Sequence, residues 1–405
     1  MTAEVLTAEP VATQREASGW REPFLYCLRV YLVVRAAVFA LGLLAMGLVP
    51  LYAQGAVPGW NGPKPVAGWS NAITAWERAD ALWYLRIASS GYRGDDGSAA
   101  FFPLFPMATR LLGVLTGGHW LLGAYLVANL SLLAGMVLLY RLTELEHSSA
   151  RARRAVVLIC IFPTSFFLFA PYTESLFLAL SVGAFYFARR GRWLLVAVLG
   201  ILAALTRSPG LLLAPVLAVE ALLQFRAGAP GRQRITGLLR GLAAAAVVPL
   251  GTIGYFVYWG RYGGDWRRPT NLQKESWGKE NAWPWDTFKS GVSIGHQYIG
   301  TFPGAYFTVD LLAVLLLLAV GVWATFRLRA TYAVYVWISL LFPMFLMWPG
   351  RPFISLPRYH VVVFPIVWAL AAFEARWRAR DVVVAVSAGS MAVLGTMFVT
   401  AYPIF

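Results

Sequence analysis

The sequence predicts an all-α polytopic membrane protein, and three observations lead there. Hydrophobic residues fill 59% of the 405 positions against 13% charged, and the mean hydropathy of +0.62 exceeds what a soluble core of this length needs. Apolar runs of about membrane length recur along the chain. Its basic residues, which give a net charge of +15, sit in short clusters between those runs. That layout argues against nucleic-acid binding, which asks for a basic face on one polar domain.

The first 23 residues are polar and carry Glu4, Glu9, Glu16 and Glu22, so they lack the basic start of a cleavable signal peptide. They read as a cytoplasmic tail before an uncleaved first span. About eleven spans follow, near 24 to 53, 119 to 140, 155 to 170, 172 to 188, 192 to 206, 208 to 225, 241 to 259, 304 to 326, 331 to 348, 357 to 373 and 381 to 402. Proline and glycine at Pro171, Gly191 and Pro209-Gly210 read as turns between spans. Without heptads, repeats or low-complexity tracts, residues 24 to 405 form one transmembrane domain.

Alternating the loops from an inner N-terminus puts Arg151, Arg153 and Arg154, then Arg189 to Arg192, then Arg226 to Arg240, and finally Arg327, Arg329 and Arg376 to Arg380 on one side. This agrees with the positive-inside rule for a plasma membrane. Two long segments, 54 to 118 and 260 to 303, are left on the extracytoplasmic side. Cys27 and Cys160 lie inside apolar runs, as small buried hydrophobes and not a disulfide or metal pair.

Within the first outer loop, residues 75 to 106 are too polar to span and too aromatic for a free loop, so an interfacial helix is expected. Projected as a helix from Trp76 to Ser90, Asp80 shares a face with Trp76, Trp83, Tyr84 and Ile87, while Arg78 and Arg86 point elsewhere. Asp80 has no basic residue one turn away, and its nearest charged neighbour is Glu77. Two readings fit such a carboxylate: a helix cap or solvated surface group, and a proton acceptor made more basic by a like charge and aromatic surroundings. Arg207 and Arg358 lie beside apolar spans with no acid within a helical turn. An arginine at bilayer depth costs roughly 2.5 to 3.5 kcal/mol, so these two either snorkel to headgroups or pair with an anion.

The stretches DALWYLRIASSGY, AAFFPLFP, FPTSFFLFAPYTESLF, LTRSPGL and SLPRYHVVVFP, in that order, resemble the PIG-V family of GPI mannosyltransferases and their prokaryotic relatives. The resemblance implies a GT-C-like architecture, a polyprenyl-phosphate sugar as donor substrate and an acidic residue in the first outer loop. Asp80 matches the family's loop aspartate, Glu174 its Tyr-x-Glu, Arg207 its Arg before Gly and Arg358 its Pro-Arg. Ala79 stands where the family usually has Trp, and Asp95 and Asp96 where a Glu is common.

On this resemblance Asp80 is the expected catalytic base, and Arg207 and Arg358 hold the donor phosphate. Glu77, Arg86, Tyr92, Tyr172, Glu174 and His360 are the substrate-binding candidates. The expected partners are membrane lipids, the lipid-phosphate donor and a lipid-linked or glycan acceptor. No cofactor is expected, and the Glu77/Asp80 and Asp95/Asp96 pairs are weak invitations to a divalent cation. A transporter or flippase for a lipid-linked substrate also fits a polytopic chain. Its ionisable residues, however, belong near the midplane of two related halves, whereas here they gather toward one surface.

Overall fold

The computed structural model describes residues 19–64, 68–301 and 304–403. The acidic tail residues Glu4, Glu9 and Glu16 therefore lie outside the described residues. Helices dominate, with one very short hairpin pairing Ala56–Val57 with Trp60–Asn61 and one long-range antiparallel pair joining Glu280–Asn281 to Leu346–Met347.

Among the described residues, six helices are long and apolar enough to cross a membrane: Arg21–Leu48, Trp120–Glu146, Ser208–Ala227, Arg232–Tyr262, Tyr306–Arg327 and Arg380–Val399. Leu194 and Phe326 are each 80% exposed, a degree of apolar exposure that suits contact with lipid. The remaining five expected spans form shorter helices, Ser149–Ile161, Glu174–Arg189, Trp193–Thr206, Ala330–Leu341 and Pro365–Trp377, of 13, 16, 14, 12 and 13 residues. These fall short of the roughly 20 residues that hydrocarbon thickness requires. Continuous apolar sequence does not ensure continuous helix, because proline and glycine end the ladder early.

The clearest interruption is at 162 to 165. Pro163 disfavours helix in the residue before it, and Phe162 is extended with ψ 146°. The chain turns, with the Ser165 hydroxyl donating to the Ile159 carbonyl at 2.6 Å and the Thr164 hydroxyl donating to the Pro357 carbonyl at 2.9 Å. A short Phe166–Phe169 helix follows before Glu174 starts the next long one. Non-helical backbone of this kind is tolerated inside a membrane protein only where protein covers it, and Phe166 to Thr173 is buried throughout.

Two expectations are corrected by element boundaries. The segment 226 to 240, expected as an inner loop, is largely helical: Arg232–Val247 continues through Val248 into Pro249–Tyr262. Pro249 sits in the first turn of its helix, where its missing N–H is tolerated. The helix near Asp80 runs Asp80–Ser90 and not from Trp76, so Trp76 does not share its helical face. Trp83, Tyr84 and Ile87 do. Of its eleven residues, Ala81, Leu82, Tyr84 to Ala88 are buried, packed against Leu104–Leu115 and the short hairpin. Leu104–Leu115 is a further helix in the 54–118 segment, in addition to Asp80–Ser90 and the single turn Asn71–Thr74. It lies against Trp120–Glu146 where a Cβ on Gly123 would stand 2.7 Å from the Thr109 carbonyl, the close approach that small residues permit between membrane helices.

At the ends of these helices remote from Asp80, a second charged network joins four segments. Glu220, 1% exposed, accepts from Arg329 Nε at 2.8 Å, the Thr331 hydroxyl at 2.6 Å and Gln224 at 2.8 Å. Arg189 links Glu220 to Glu146, which also accepts from the Tyr332 hydroxyl at 3.0 Å. Replacing Glu220 with Ala strands Arg329 and the Thr331 hydroxyl, while Arg189 keeps Glu146, so purified protein should lose about 2 kcal/mol of stability. Thermal unfolding in detergent will read this as a lowered midpoint, while Arg329→Lys, which retains a charge, should lose less.

Candidate active site

Four charged residues from four distant segments meet in one cluster. Each sits where its own stretch of sequence breaks a helix. Asp80 is the first residue of its helix, entered through Ala79 at φ 47°, a left-handed backbone value that strains a non-glycine residue. Glu174 begins Glu174–Arg189 behind the Pro171-Tyr172-Thr173 turn. Arg207 follows the last residue of Trp193–Thr206 in extended backbone, ahead of Pro209. Arg358 lies in the short Leu356–His360 helix, entered through Ser355 at φ 63°. Acids thus occupy helix starts and Arg207 a helix end, the arrangement the helix dipole favours.

The contacts are direct. Glu174, with no exposed surface, accepts from Arg207 Nη1 at 2.7 Å and from Arg358 Nε through the same carboxylate oxygen. Arg358 reaches across with Nη1 to Asp80 Oδ2 at 2.5 Å, bridging residues 278 positions apart. The Arg358 guanidinium lies 4.6 Å from the Tyr172 ring centre and 5.2 Å from that of Phe167, and Arg207 lies 5.0 Å from Tyr359. Tyr172 in turn donates its hydroxyl to the Arg78 carbonyl at 2.7 Å, tying this turn to the Asp80 segment. Exposure within the cluster is uneven: the Asp80 side chain is 32% exposed, against 8% for Arg358 and 10% for Arg207. Asp80 is therefore the carboxylate an incoming molecule can touch.

This geometry corrects the premise that Arg207 and Arg358 lack an acidic partner. Glu174 serves both, a pairing invisible in local spacing because 33 and 184 residues intervene. The arginines nevertheless keep free donors: among the described residues nothing accepts from Arg207 Nε and Nη2 or from Arg358 Nη2. Two acids and two bases thus give the cluster no formal net charge, and Arg358 is the arginine that reaches Asp80.

Other candidates are placed outside these contacts. Glu77 accepts from Trp60 Nε1 at 2.7 Å; burial pushes its carboxyl above the usual range, while the Trp60 N–H and Arg78 pull it partly back. Arg86 is 1% exposed and ion-pairs Asp96, also donating to the Gly91 carbonyl at 2.9 Å. Asp96 is further engaged by the Ser98 amide at 2.8 Å. Tyr92 donates to the Phe101 carbonyl at 2.7 Å and packs among Tyr255, Tyr258 and Trp259. His360 is 2% exposed, with Nε2 unpartnered among the described residues. No group of three or more His, Cys, Asp or Glu able to hold a metal ion occurs among the described residues.

One charged pair has no signal in the sequence motifs. Asp310, within the apolar Tyr306–Arg327 helix, accepts from Arg351 Nε at 2.6 Å and Nη2 at 2.9 Å, and Arg351 Nη1 donates to the Pro403 carbonyl at 3.1 Å. A lone acid in a 20-residue apolar run is the cue that points to such a partner.

Fold and site together define a class: a many-helix, all-α chain with transmembrane helices and a buried ionic cluster from which one carboxylate is open. Residues 66–263 match the model of the mannosyltransferase (PIG-V) family, and over that stretch the resemblance carried by the sequence motifs is borne out. The match takes in Asp80, Glu174 and Arg207 and ends before Arg358. The chain is 35% identical over 164 residues to GPI alpha-1,6-mannosyltransferase 2 of Mus musculus, covering 38% of this chain and 32% of that protein. It is 35% identical over 156 residues to the Homo sapiens protein of the same name, covering 36% and 31%. The matched stretch is thus about a third of the length of these curated relatives.

Among solved structures, ArnT from Cupriavidus metallidurans bound to undecaprenyl phosphate aligns with a TM-score of 0.49 at 15% identity, over 96% of this chain and 77% of that one. The oligosaccharyltransferase AglB of Archaeoglobus fulgidus, in complex with an inhibitory peptide and a dolichol-phosphate, aligns with a TM-score of 0.41 at 14% identity, over 96% and 56%.

Because one buried carboxylate neutralises two arginines, replacing Glu174 with Ala should destabilise the protein by about 3 to 5 kcal/mol. Asp80→Ala, removing a partly exposed partner of only one arginine, should cost less than half as much. Denaturation midpoints of the two variants in the same detergent give the comparison; equal losses would show that Glu174 is not the keystone of the cluster.

Proposed function

We propose that the chain is a membrane glycosyltransferase of GT-C-like architecture. It moves a hexosyl group, mannose on the family resemblance, from a polyprenyl-phosphate donor to a hydroxyl of a lipid-linked or glycan acceptor, on the extracytoplasmic face of the plasma membrane. The observation that carries this reading is the convergence of Asp80, Glu174, Arg207 and Arg358, with Asp80 alone substantially open.

In the proposed reaction the acceptor oxygen attacks the anomeric carbon as Asp80 takes its proton. The new carbon–oxygen bond forms while the bond to the donor phosphate oxygen breaks, and the lipid phosphate leaves with the electron pair. Free donors on Arg207 and Arg358 face that growing negative charge, an interaction that strengthens toward the transition state. A single displacement inverts the sugar. The retaining alternative needs a second accessible carboxylate as nucleophile, and Glu174 is fully buried and committed to both guanidiniums.

The surroundings of Arg207 are apolar, which suits a donor with a lipid tail. The void there is only about 20 Å³, bordered by Arg207, Tyr359, Phe177, Leu212, Tyr335, Phe342 and Val362, so an anion at the arginine would have apolar side chains beside it but a tail would need them to move. Glu77, Arg86, Tyr92, Tyr172 and His360 remain substrate-binding proposals; of these only Tyr172 touches the cluster, through Arg358.

Transfer assays with purified protein and a polyprenyl-phosphate-mannose donor test the base. Asp80→Asn keeps the size of the side chain and removes most of its basicity, so turnover should fall by a factor on the order of 10² to 10⁴ with folding intact. Near-normal turnover would remove Asp80 from the mechanism. Arg207→Gln and Arg358→Gln should lower turnover at saturating donor as well as raise donor KM, with Lys at either position keeping part of the activity. Unchanged kcat and KM in both would make them structural only. The face is tested separately, by introducing cysteine at positions 95 and 151, both exposed: a reagent that cannot cross the membrane should label 95 and miss 151, and the two native cysteines are buried.

A further inference from the structure

A groove lies past the end of the Glu174–Arg189 helix that is remote from the ionic cluster. The Glu174–Arg189 helix leads away from the ionic cluster for about 24 Å, and the chain then turns through Arg190, Gly191 and Arg192 before Trp193–Thr206 returns to Arg207. Gly191 has φ 67°, a left-handed turn residue that any side chain would strain. Beyond this turn a groove of about 580 Å³ opens between Trp193–Thr206 and Arg232–Val247.

Its composition is two-sided. Arg192 and Arg240 stand at the groove, both exposed, and neither has an acidic partner among the described residues. Leu194, Ala197, Ala243 and Val247 line the rest, an apolar wall that follows the two helices. The floor is closed by the Trp193 ring: a Cβ on Gly241 would stand 3.0 Å from it, so the helices cannot approach further there. The void is consequently fixed by packing, with small residues on its Arg232–Val247 side.

We propose that this groove binds an anionic phospholipid, its phosphate held by Arg192 and Arg240 and one acyl chain lying along the apolar wall. Charge complementarity selects the headgroup: two unpaired guanidiniums offer forked donors to phosphate oxygens, and basic residues at membrane depth attract anionic lipids. The apolar wall favours a lipid over free phosphate, since only a ligand with an acyl chain can lie along Leu194, Ala197 and Val247 while its phosphate meets the arginines. Scattered snorkelling arginines would hold headgroups without a groove, and the experiment separates that arrangement from a built site.

Purified protein is equilibrated with mixed micelles of phosphatidylglycerol and phosphatidylcholine, and the lipid retained is counted by native mass spectrometry. The wild-type protein should retain phosphatidylglycerol in preference to phosphatidylcholine. The Arg192→Gln/Arg240→Gln variant should retain it about thirtyfold more weakly, the loss expected for two arginines beside an anionic lipid. Ala243→Trp, placed at an exposed wall position, fills the groove without altering charge and should also lose the lipid. Retention unchanged in the double arginine variant overturns the proposal. So does full retention in Ala243→Trp, which would leave only scattered headgroup contacts, and so does displacement of the lipid by millimolar inorganic phosphate. Matched thermal unfolding curves for the three proteins show that any loss is of lipid and not of fold.

Discussion

Glu174 is the charge on which the rest of the site depends. A carboxylate with no exposed surface is tolerable only when its hydrogen bonds and its charge are both answered, and here two guanidiniums answer it through one oxygen. That requirement brings Arg207 to the end of its helix and Arg358 into its short helix. Arg358, fastened to Glu174 by Nε, then has Nη1 positioned for Asp80. Remove the central acid and Arg207 loses its carboxylate partner while Arg358 keeps only the partly exposed Asp80.

The local sequence supports this arrangement at each corner by interrupting a helix. Pro163 ends one helix and creates the turn whose Thr164 hydroxyl fastens the Pro357 carbonyl, beside Arg358. The Pro171-Tyr172-Thr173 turn delivers Glu174 to a helix start, and Pro209 stops Trp193–Thr206 so that Arg207 leaves it in extended form. Helix ends expose unpaired backbone groups and partial charges, so they are natural places for charged side chains inside an apolar protein. The strained Ala79 and Ser355 backbones, one beside Asp80 and one three residues from Arg358, mark the two places where the fold holds an uncommon conformation to complete the cluster.

Charge is distributed in separate, locally satisfied groups. The Glu174 cluster occupies one end of its helix and the Glu146, Arg189 and Glu220 network the other, while Asp310 with Arg351 forms a third closed pair. Between these, aromatic packing carries the interior: Phe185 meets Tyr332, Tyr335 and Phe364 at ring separations of 5.1 to 5.4 Å. Such rigid packing keeps the helix ends in register, and any binding chemistry at the cluster requires that register. Arg192 and Arg240, which no acid answers among the described residues, border an apolar groove, and for that reason they are proposed to face lipid.

The sequence by itself determined that the chain is helical and apolar, where the basic clusters fall, and which polar segments interrupt the apolar runs. Its motifs carried the family resemblance and singled out Asp80, Glu174, Arg207 and Arg358. Hydropathy is a one-dimensional property, so it reads well from a window of neighbouring residues. It could not show that 155 to 170 and 331 to 348 are broken helices, because apolar content and helix continuity are separate matters decided by proline, capping and tertiary cover. Nor could it show that the helix at Asp80 begins at that residue. The partners of Arg207 and Arg358 lay furthest beyond reach: an ion pair between residues 184 or 278 positions apart has no local period. Whether a buried arginine meets a lipid headgroup or a carboxylate is settled only when the helices pack, since the cost of leaving it unpaired is felt across space and not along the chain.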